Sequence, residues 1–417
     1  MADNLNRMKS AFGKSSPALK LLLIAALFCH LLFLLNLKFR FLNPFSHDMA
    51  LFRNVRGADF NAVYMAGRYA RAGENLYRIP TYDEGIPHTR FRYTPPVAFL
   101  IGIPMSLIPN VFIASRLWVL INEILLFINI LITIKMCGDN RRLIAAVCLW
   151  LLYFPFAVEI YMGQFSFLMA SLLFWSAYCL SKGCRRTGLA AWMGAILLKL
   201  FPIWMLPLVW KRAGRKATIA SLTALFLLTV PYFMRHRDAA RDFFSLNMPA
   251  AAKNEMQPYG GNQGLRHMLL HYRRIVPALP QRTVSALPAA AGLALFIFLT
   301  AASLKGSWKP MPLFALGTAL FFIISPDVWE HHYVLLLPFF VSYYIMKEKP
   351  GWAFWVSFIF IAMPTPHIFS NLGTNNDLPP AAAFLYFSIK PLGNIIFALA
   401  LMRDLTQPPA FKDIQTQ

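Results

Sequence analysis

The sequence predicts an all-α polytopic membrane protein of about twelve transmembrane helices, and three observations carry the prediction. The 417-residue chain holds many near-uninterrupted apolar runs of roughly 16 to 24 residues, the length that crosses the hydrocarbon core of a bilayer. It is 58% hydrophobic, with a mean hydropathy of +0.51. The runs are continuous, whereas an outer-membrane barrel needs short strands of alternating polarity.

Residues 18–37 form the first expected span. Arg7, Lys9, Lys14 and Lys20 resemble the start of a secretory signal. The run is too long for one, however, and Lys38-Phe39-Arg40-Phe41 stands where a small-residue cleavage site belongs. A retained span with a cytoplasmic N-terminus is expected. Residues 38–96 then read as an external loop carrying amphipathic juxtamembrane helices, 97–402 as the remaining spans and 403–417 as a polar cytoplasmic tail. Val97 to Pro109 is short and proline-bounded. Keeping it on the outer side makes the basic stretch Lys135 to Arg142 cytoplasmic, as the positive-inside rule prefers. The basic turns 182–186, 211–216, 305–309 and 347–349 then fall on the same side. The outer side receives the first loop, Glu159 to Gln164, Arg235 to Arg282, and Ser325 to His332. Thr187 to Trp210 starts and ends at cytoplasmic basic clusters, so a hairpin of two short helices is expected, bending near Lys199-Leu200-Phe201-Pro202. A lysine at such depth is costly in lipid and should face a polar cavity.

Cys29, Cys137, Cys148, Cys179 and Cys184 show neither a disulfide framework nor metal-type spacing. The net charge of +22 is divided between cytoplasmic turns and external loops, which favours anionic lipids rather than nucleic acid as partners. Nothing in the sequence calls for a cofactor.

The chemistry concentrates in Gly57 to Pro96, a polar, basic, aromatic-rich stretch ending Tyr93-Thr94-Pro95-Pro96. Asp59 opens an amphipathic repeat in which Phe60, Val63, Tyr64 and Gly67 share one helical face and Asn61, Arg68 and Arg71 the other. It reads either as a helix N-cap or as a general base that takes a proton from an attacking hydroxyl. Asp48, with no following helix expected, is the second candidate. Lys199 is either a snorkelling residue or a point charge on a phosphate, a role for which Arg68, Arg71, Arg90 and Arg92 compete. The arginines also suit a basic loop on lipid headgroups. His331 and His332 suit hydrogen bonding to a phosphate or sugar hydroxyl, beside Trp329 and Tyr333 as interfacial anchors. Adjacent histidines project differently and no third ligand is spaced to join them, so no metal is expected. Amides at Gln164, and at Asn262 and Gln263 in the turn that begins at Gly260, suit sugar hydroxyls. Glu123 and Arg116, seven residues apart, read as a pair on one helix face.

Taken in order, these segments resemble the membrane glycosyltransferases of the GT-C fold, and within them glycosyltransferase family 87. The resemblance rests on Asp59, Tyr64, Ala66-Gly67, Gly73 and Leu76-Tyr77; on Phe91-Arg92-Tyr93-Thr94-Pro95-Pro96; on Gly163-Gln164 with Leu198-Lys199-Leu200-Phe201-Pro202; and on Asn262-Gln263-Gly264-Leu265 with Ser325-Pro326, Trp329 and His331-His332. It implies inverting transfer of a hexose, most naturally mannose, from a polyprenyl-phosphate-linked donor to a lipid or cell-envelope glycan acceptor on the outer face of the cytoplasmic membrane, without a metal. By position it makes Asp59 the base and puts His331 or His332 in the active site; on the residues' own chemistry, Lys199, Arg68, Arg92, Tyr93, Gln164, Asn262 and Gln263 are the candidates for holding substrate and phosphate. Gly264 stands where the family commonly has a small polar residue, and Pro326-Asp327-Val328 where a Ser usually precedes the Trp. A flippase for lipid-linked sugars is the alternative, since it too needs many spans and a basic cavity, although no repeat-related halves are visible.

Overall fold

The computed structural model describes every residue except 1, 53–54, 84, 248–260, 306–308, 368–377, 408–410 and 412–417. Most of the expected polar tail, Gly260, and the centre of the 305–309 turn lie outside the described residues. Helix α1 (Ala2–Lys14) gives way to α2 (Pro17–Phe39) at Ser16, whose hydroxyl accepts from the Leu19 amide at 3.3 Å ahead of a proline in the first turn. The first loop then supplies α3 (His47–Leu51), α4 (Ala58–Ala72), a two-residue antiparallel pair of strands β1 (Tyr82–Asp83) and β2 (Ile86–Pro87), and the short apolar helix α5 (Pro95–Ser106). The chain continues through α6 (Val111–Met136), α7 (Asn140–Leu151), α8 (Phe154–Met162), α9 (Ser166–Ser181), α10 (Arg185–Leu198) and α11 (Leu206–Ala213). Helices α12 (Arg215–Arg235), α13 (Arg237–Asn247), α14 (Leu265–Ile275) and α15 (Gln281–Lys305) follow. The last are α16 (Pro310–Ile324), α17 (Leu337–Met346), α18 (Trp352–Ala362) and α19 (Pro380–Thr406).

The chain is an all-α multi-pass membrane protein. Among the described residues six helical stretches are long and apolar enough to cross a bilayer: Pro17–Phe39, Val111–Met136, Arg142–Met162, Arg215–Arg235, Gln281–Lys305 and Pro380–Thr406. Pro95–Ser106, Ser166–Ser181, Pro310–Ile324 and Trp352–Ala362 are apolar but shorter. Against the expected count of about twelve, six described stretches are long enough to cross and the other apolar helices are shorter. Prolines explain much of the difference, because a ring without an N–H tolerates only the first turn: Pro155, Pro207 and Pro338 each sit at the start of a helix. The 142–162 stretch is central, with 89% of its apolar window buried, while 215–235, at 11%, is peripheral.

The region expected to be a hairpin is formed by α10 and α11, broken by the extended residue Lys199 and a 3-10 turn at Phe201–Met205. Two glycine contacts set the position of α4. A Cβ on Gly67 would lie 2.1 Å from the Gly102 backbone, so α4 and α5 cross with main chains touching. Gly163 ends α8 at a φ of 66°, and a Cβ there would be 2.7 Å from Phe60 Cβ. Only a residue without a side chain meets both demands.

Candidate active site

Gly57, at a φ of 68°, is the N-cap of α4, and its amide donates to the Tyr161 carbonyl at 3.0 Å. Asp59 is therefore the second helical residue and caps nothing, which corrects the N-cap reading. Its carboxylate is held by two side chains from elsewhere. Thr89 Oγ1 donates to Oδ1 at 2.6 Å, and Gln164 Nε2 donates to Oδ2 at 2.5 Å. Strand β2 and the residues after it lie along the first turn of α4, where Asn61 donates to the Pro87 carbonyl and the Thr89 amide to that of Ala58. Asn61 is consequently buried, although the helical pattern assigned it to the polar face. Gln164 is buried as well, with Tyr93 Oη directed at its Oε1 at 3.4 Å.

Burial pushes the Asp59 carboxyl above the usual carboxylate range, against the opposing pull of His331, the Thr89 hydroxyl, Lys199 and Arg92. Those opposing groups mark what surrounds it. Lys199 Nζ lies 2.8 Å from His332 Nε2 and 5.8 Å from the Phe321 ring. It emerges where α10 ends, and the Leu197 carbonyl of that last turn is taken by the Thr94 hydroxyl at 2.5 Å. Arg92, more than half exposed, faces Asp327 at 3.7 Å.

The loop between α16 and α17 brings in the two histidines. His332 Nδ1 accepts from the Trp329 amide at 3.0 Å. His331 Nδ1 is 2.9 Å from Asp48 Oδ2, while its Nε2 is buried with no hydrogen-bond partner among the described residues. Burial pushes the His331 imidazole down to about 4 and the His332 imidazole well below its usual range. Asp48 lies in α3 and is fully buried, contrary to the expectation that no helix follows it. Burial pushes its carboxyl up to about 7, with the His331 and Glu330 amides and the Lys390 charge acting against the shift. Next to it, Glu330 accepts from the Ser46 hydroxyl at 2.7 Å and the Thr365 amide at 2.9 Å. Lys390 of α19 stands 3.4 Å from the same carboxylate and donates to the Ile361 and Met363 carbonyls at 2.8 Å.

The structure thus gathers Asp59, Gln164, Tyr93, Arg92, Lys199, His331 and His332. Other sequence candidates fall elsewhere. Arg68 is nine residues beyond Asp59 on α4, which puts it on the opposite face and about 13 Å further along the axis. The Asn262 amide is committed to the 326–328 segment, donating to the Pro326 carbonyl at 2.7 Å and accepting from the Gly264 and Val328 amides. Gln263 is buried, its backbone paired with Val328 and Tyr333 and its amide group unpaired among the described residues. Glu123 pairs with His30 at 3.0 Å and not with Arg116. Glu159 lies within α8, not in a turn, and accepts from the Phe167 amide at 2.7 Å. Sequence reasoning missed Thr89, Glu330 and Lys390. Only Lys390 carried a signal, as a lone cation in an apolar run.

A cavity of about 790 Å³ opens between α2 and α6. Leu34, Leu37, Ile113 and Ile160 line it with Lys38, Arg56 and Arg116, and Gly57, two residues from Asp59, forms part of its wall.

Fold and site together define a multi-pass membrane protein in which the Asp59 carboxylate faces a group of basic and imidazole side chains. The model of glycosyltransferase family 87 matches residues 91–326, more than half of the chain, and the protein belongs to that family; it is a membrane glycosyltransferase. The matched stretch contains Arg92, Tyr93, Gln164 and Lys199, begins after Asp59 and ends before His331. A search of the curated proteins finds no match. Among solved structures, that of ArnT from Cupriavidus metallidurans in the apo state is similar at 13% identity, covering 84% of this chain and 73% of that one, with a TM-score of 0.39. At that TM-score the likeness is too loose to assign a fold or a chemistry.

Proposed function

We propose that the protein has the GT-C arrangement and transfers a hexose, with mannose favoured, from a polyprenyl-phosphate-linked donor to a lipid-linked or envelope glycan acceptor on the outer face of the cytoplasmic membrane. The observation that carries this reading is Asp59 itself. It is a carboxylate held by two uncharged donors, Thr89 and Gln164, without a salt bridge among the described residues, and its raised proton affinity suits a base.

In this reading an acceptor hydroxyl binds beside Asp59, which removes its proton as the oxygen attacks the anomeric carbon from the face opposite the phosphate. The configuration at that carbon inverts. Lys199 and Arg92 hold the departing phosphate and offset the negative charge that grows on it. The unpartnered Nε2 of His331 accepts from a sugar hydroxyl, oriented by Asp48. The prenyl chain occupies the apolar cavity beside Gly57, where Lys38, Arg56 and Arg116 suit an anionic lipid.

The test is a transfer assay on purified protein in lipid, with radiolabelled polyprenyl-phosphate-mannose and a total membrane lipid extract as acceptor. A labelled glycolipid or glycan is expected. Donor that moves between leaflets without forming product would overturn the reading in favour of a flippase.

A further inference from the structure

The protons around Lys199 can be counted. Backbone amides only donate, so the Trp329 N–H at 3.0 Å makes His332 Nδ1 an acceptor. A neutral imidazole has one bare nitrogen and one N–H, which leaves the proton of His332 on Nε2. An imidazolium is excluded by the same contact, because its Nδ1 would carry a hydrogen pointed at another. Nε2–H is therefore a donor, and 2.8 Å from it stands Lys199 Nζ. An ammonium has three N–H groups and no lone pair, so it would set donor against donor at hydrogen-bond distance. A neutral amine has the lone pair that this contact requires.

The surroundings agree. The charged or titratable groups facing Lys199 are His332 beside it, Glu159 from α8, Asp59 from α4, Asp327 from the 325–329 loop and Arg92 from the loop before α5. Each carboxylate is engaged elsewhere: Glu159 by the Phe167 amide, Asp59 by Thr89 and Gln164, Asp327 by Arg92. None of the described carboxylates forms an ion pair with Lys199 within 4 Å. Burial lowers the Lys199 ammonium to about 8 against the pull of these carboxylates, none of which pairs with it directly, so the cation is held weakly.

We propose that Lys199 rests as a neutral amine accepting a hydrogen bond from His332 Nε2–H, and that binding of a phosphodiester lipid draws one proton from solvent onto it. The ammonium so formed turns from His332 to the phosphate oxygens. This rests on the reading of the ligand as a phosphate-linked donor. The proton balance is complete: one amine and one solvent proton give one ammonium, His332 keeps its own proton, and the singly charged diester is unchanged. The site therefore acquires its cation with the anion that needs it, and avoids holding an uncompensated charge when empty.

The experiment is titration calorimetry of the full-length protein in lipid nanodiscs with a polyprenyl methyl phosphodiester, which has no group titrating near neutrality, in HEPES and in Tris. These buffers differ in ionisation enthalpy, so the difference in observed heat counts the protons taken up. Uptake approaching one proton per diester bound is expected above about pH 8, where the free amine has lost its proton, with affinity that weakens by about tenfold per pH unit there. Lys199→Arg, whose guanidinium stays charged, is expected to bind with no uptake. Binding without uptake in the unmutated protein, or equal uptake in the arginine variant, would overturn the proposal and leave the phosphate site standing. If the arginine variant does not fold, the pH dependence of the unmutated protein decides by itself: affinity independent of pH refutes the proposal. No diester binding at any pH would remove the phosphate reading and this inference together.

Discussion

Replacing Asp59 by Asn separates chemistry from structure at this site with little disturbance. Asn has the shape of Asp, and its remaining carbonyl oxygen can take the position that now accepts from Gln164 Nε2. Its NH2 group then faces Thr89, whose hydroxyl can turn from donor to acceptor. Both contacts survive, so expression, thermal stability and donor binding should be close to those of the unmutated protein. What is lost is the group that removes the acceptor proton. A positioned general base contributes about 10²- to 10⁴-fold in rate, equivalent to about 3 to 5.5 kcal/mol at the transition state. The loss should appear in kcat with little change in KM for the donor. The pH profile supplies an independent check. A base works when deprotonated, so the unmutated rate should fall as pH is lowered through the Asp59 pKa, at a midpoint above the ordinary carboxylate value of about 4. Steady-state transfer of radiolabelled mannose across a pH series, at saturating acceptor, measures both quantities. Activity of the Asn variant within about tenfold of the unmutated enzyme would refute the assignment of Asp59 as the base.

Asp48→Ala should lower kcat by up to about a hundredfold by releasing the His331 ring, and Asp48→Asn, whose carbonyl can still accept from Nδ1–H, should restore most of it. Equal loss in both variants would show that Asp48 does more than orient the ring. Gly67→Ala must push α4 from α5 by about 1.3 Å to relieve a contact of 2.1 Å, an overpacking cost of about 1 to 3 kcal/mol, seen as a lower Tm together with weaker transfer. Gly351→Ala, at the N-cap of α18 with open space around the new Cβ, should lower Tm only slightly and leave transfer unchanged.

How much of this was legible in the sequence depended on the range of each interaction. Asp59, Lys199 and the two histidines stood out because polar residues beside apolar runs are costly and few, and the structure does bring them together. Their partners were harder to see. Asp48 and His331 are separated by 283 residues, and no local pattern connects them. Gln164 was visible as an amide at a turn, but its contact with Asp59 follows from the close approach of Gly163 to Phe60. Helical spacing alone gave misleading answers for pairs. Glu123 could reach Arg116 along its own helix, yet it meets His30 from α2, because packing between helices decided the partner. Arg68 shares a helix with Asp59, but nine residues rotate it to the opposite side. Span counting suffered similarly, since hydropathy does not show where a proline will divide a run.

The Glu330–Lys390 contact links the site to the order in which the chain is made. Glu330 adjoins His331 and is fully buried, and it joins Ser46 from the beginning of the chain to Lys390 near its end. During synthesis Asp59, Gln164, Lys199 and His331 all enter the membrane well before Lys390 does. Until the last helix inserts, Glu330 has no cation, and a buried carboxylate without its partner carries a penalty of about 3 to 5 kcal/mol. The loop bearing the histidines therefore cannot settle early. A chain cut before α19 would leave the buried Glu330, next to His331, without the Lys390 cation, and is expected to lose transfer activity.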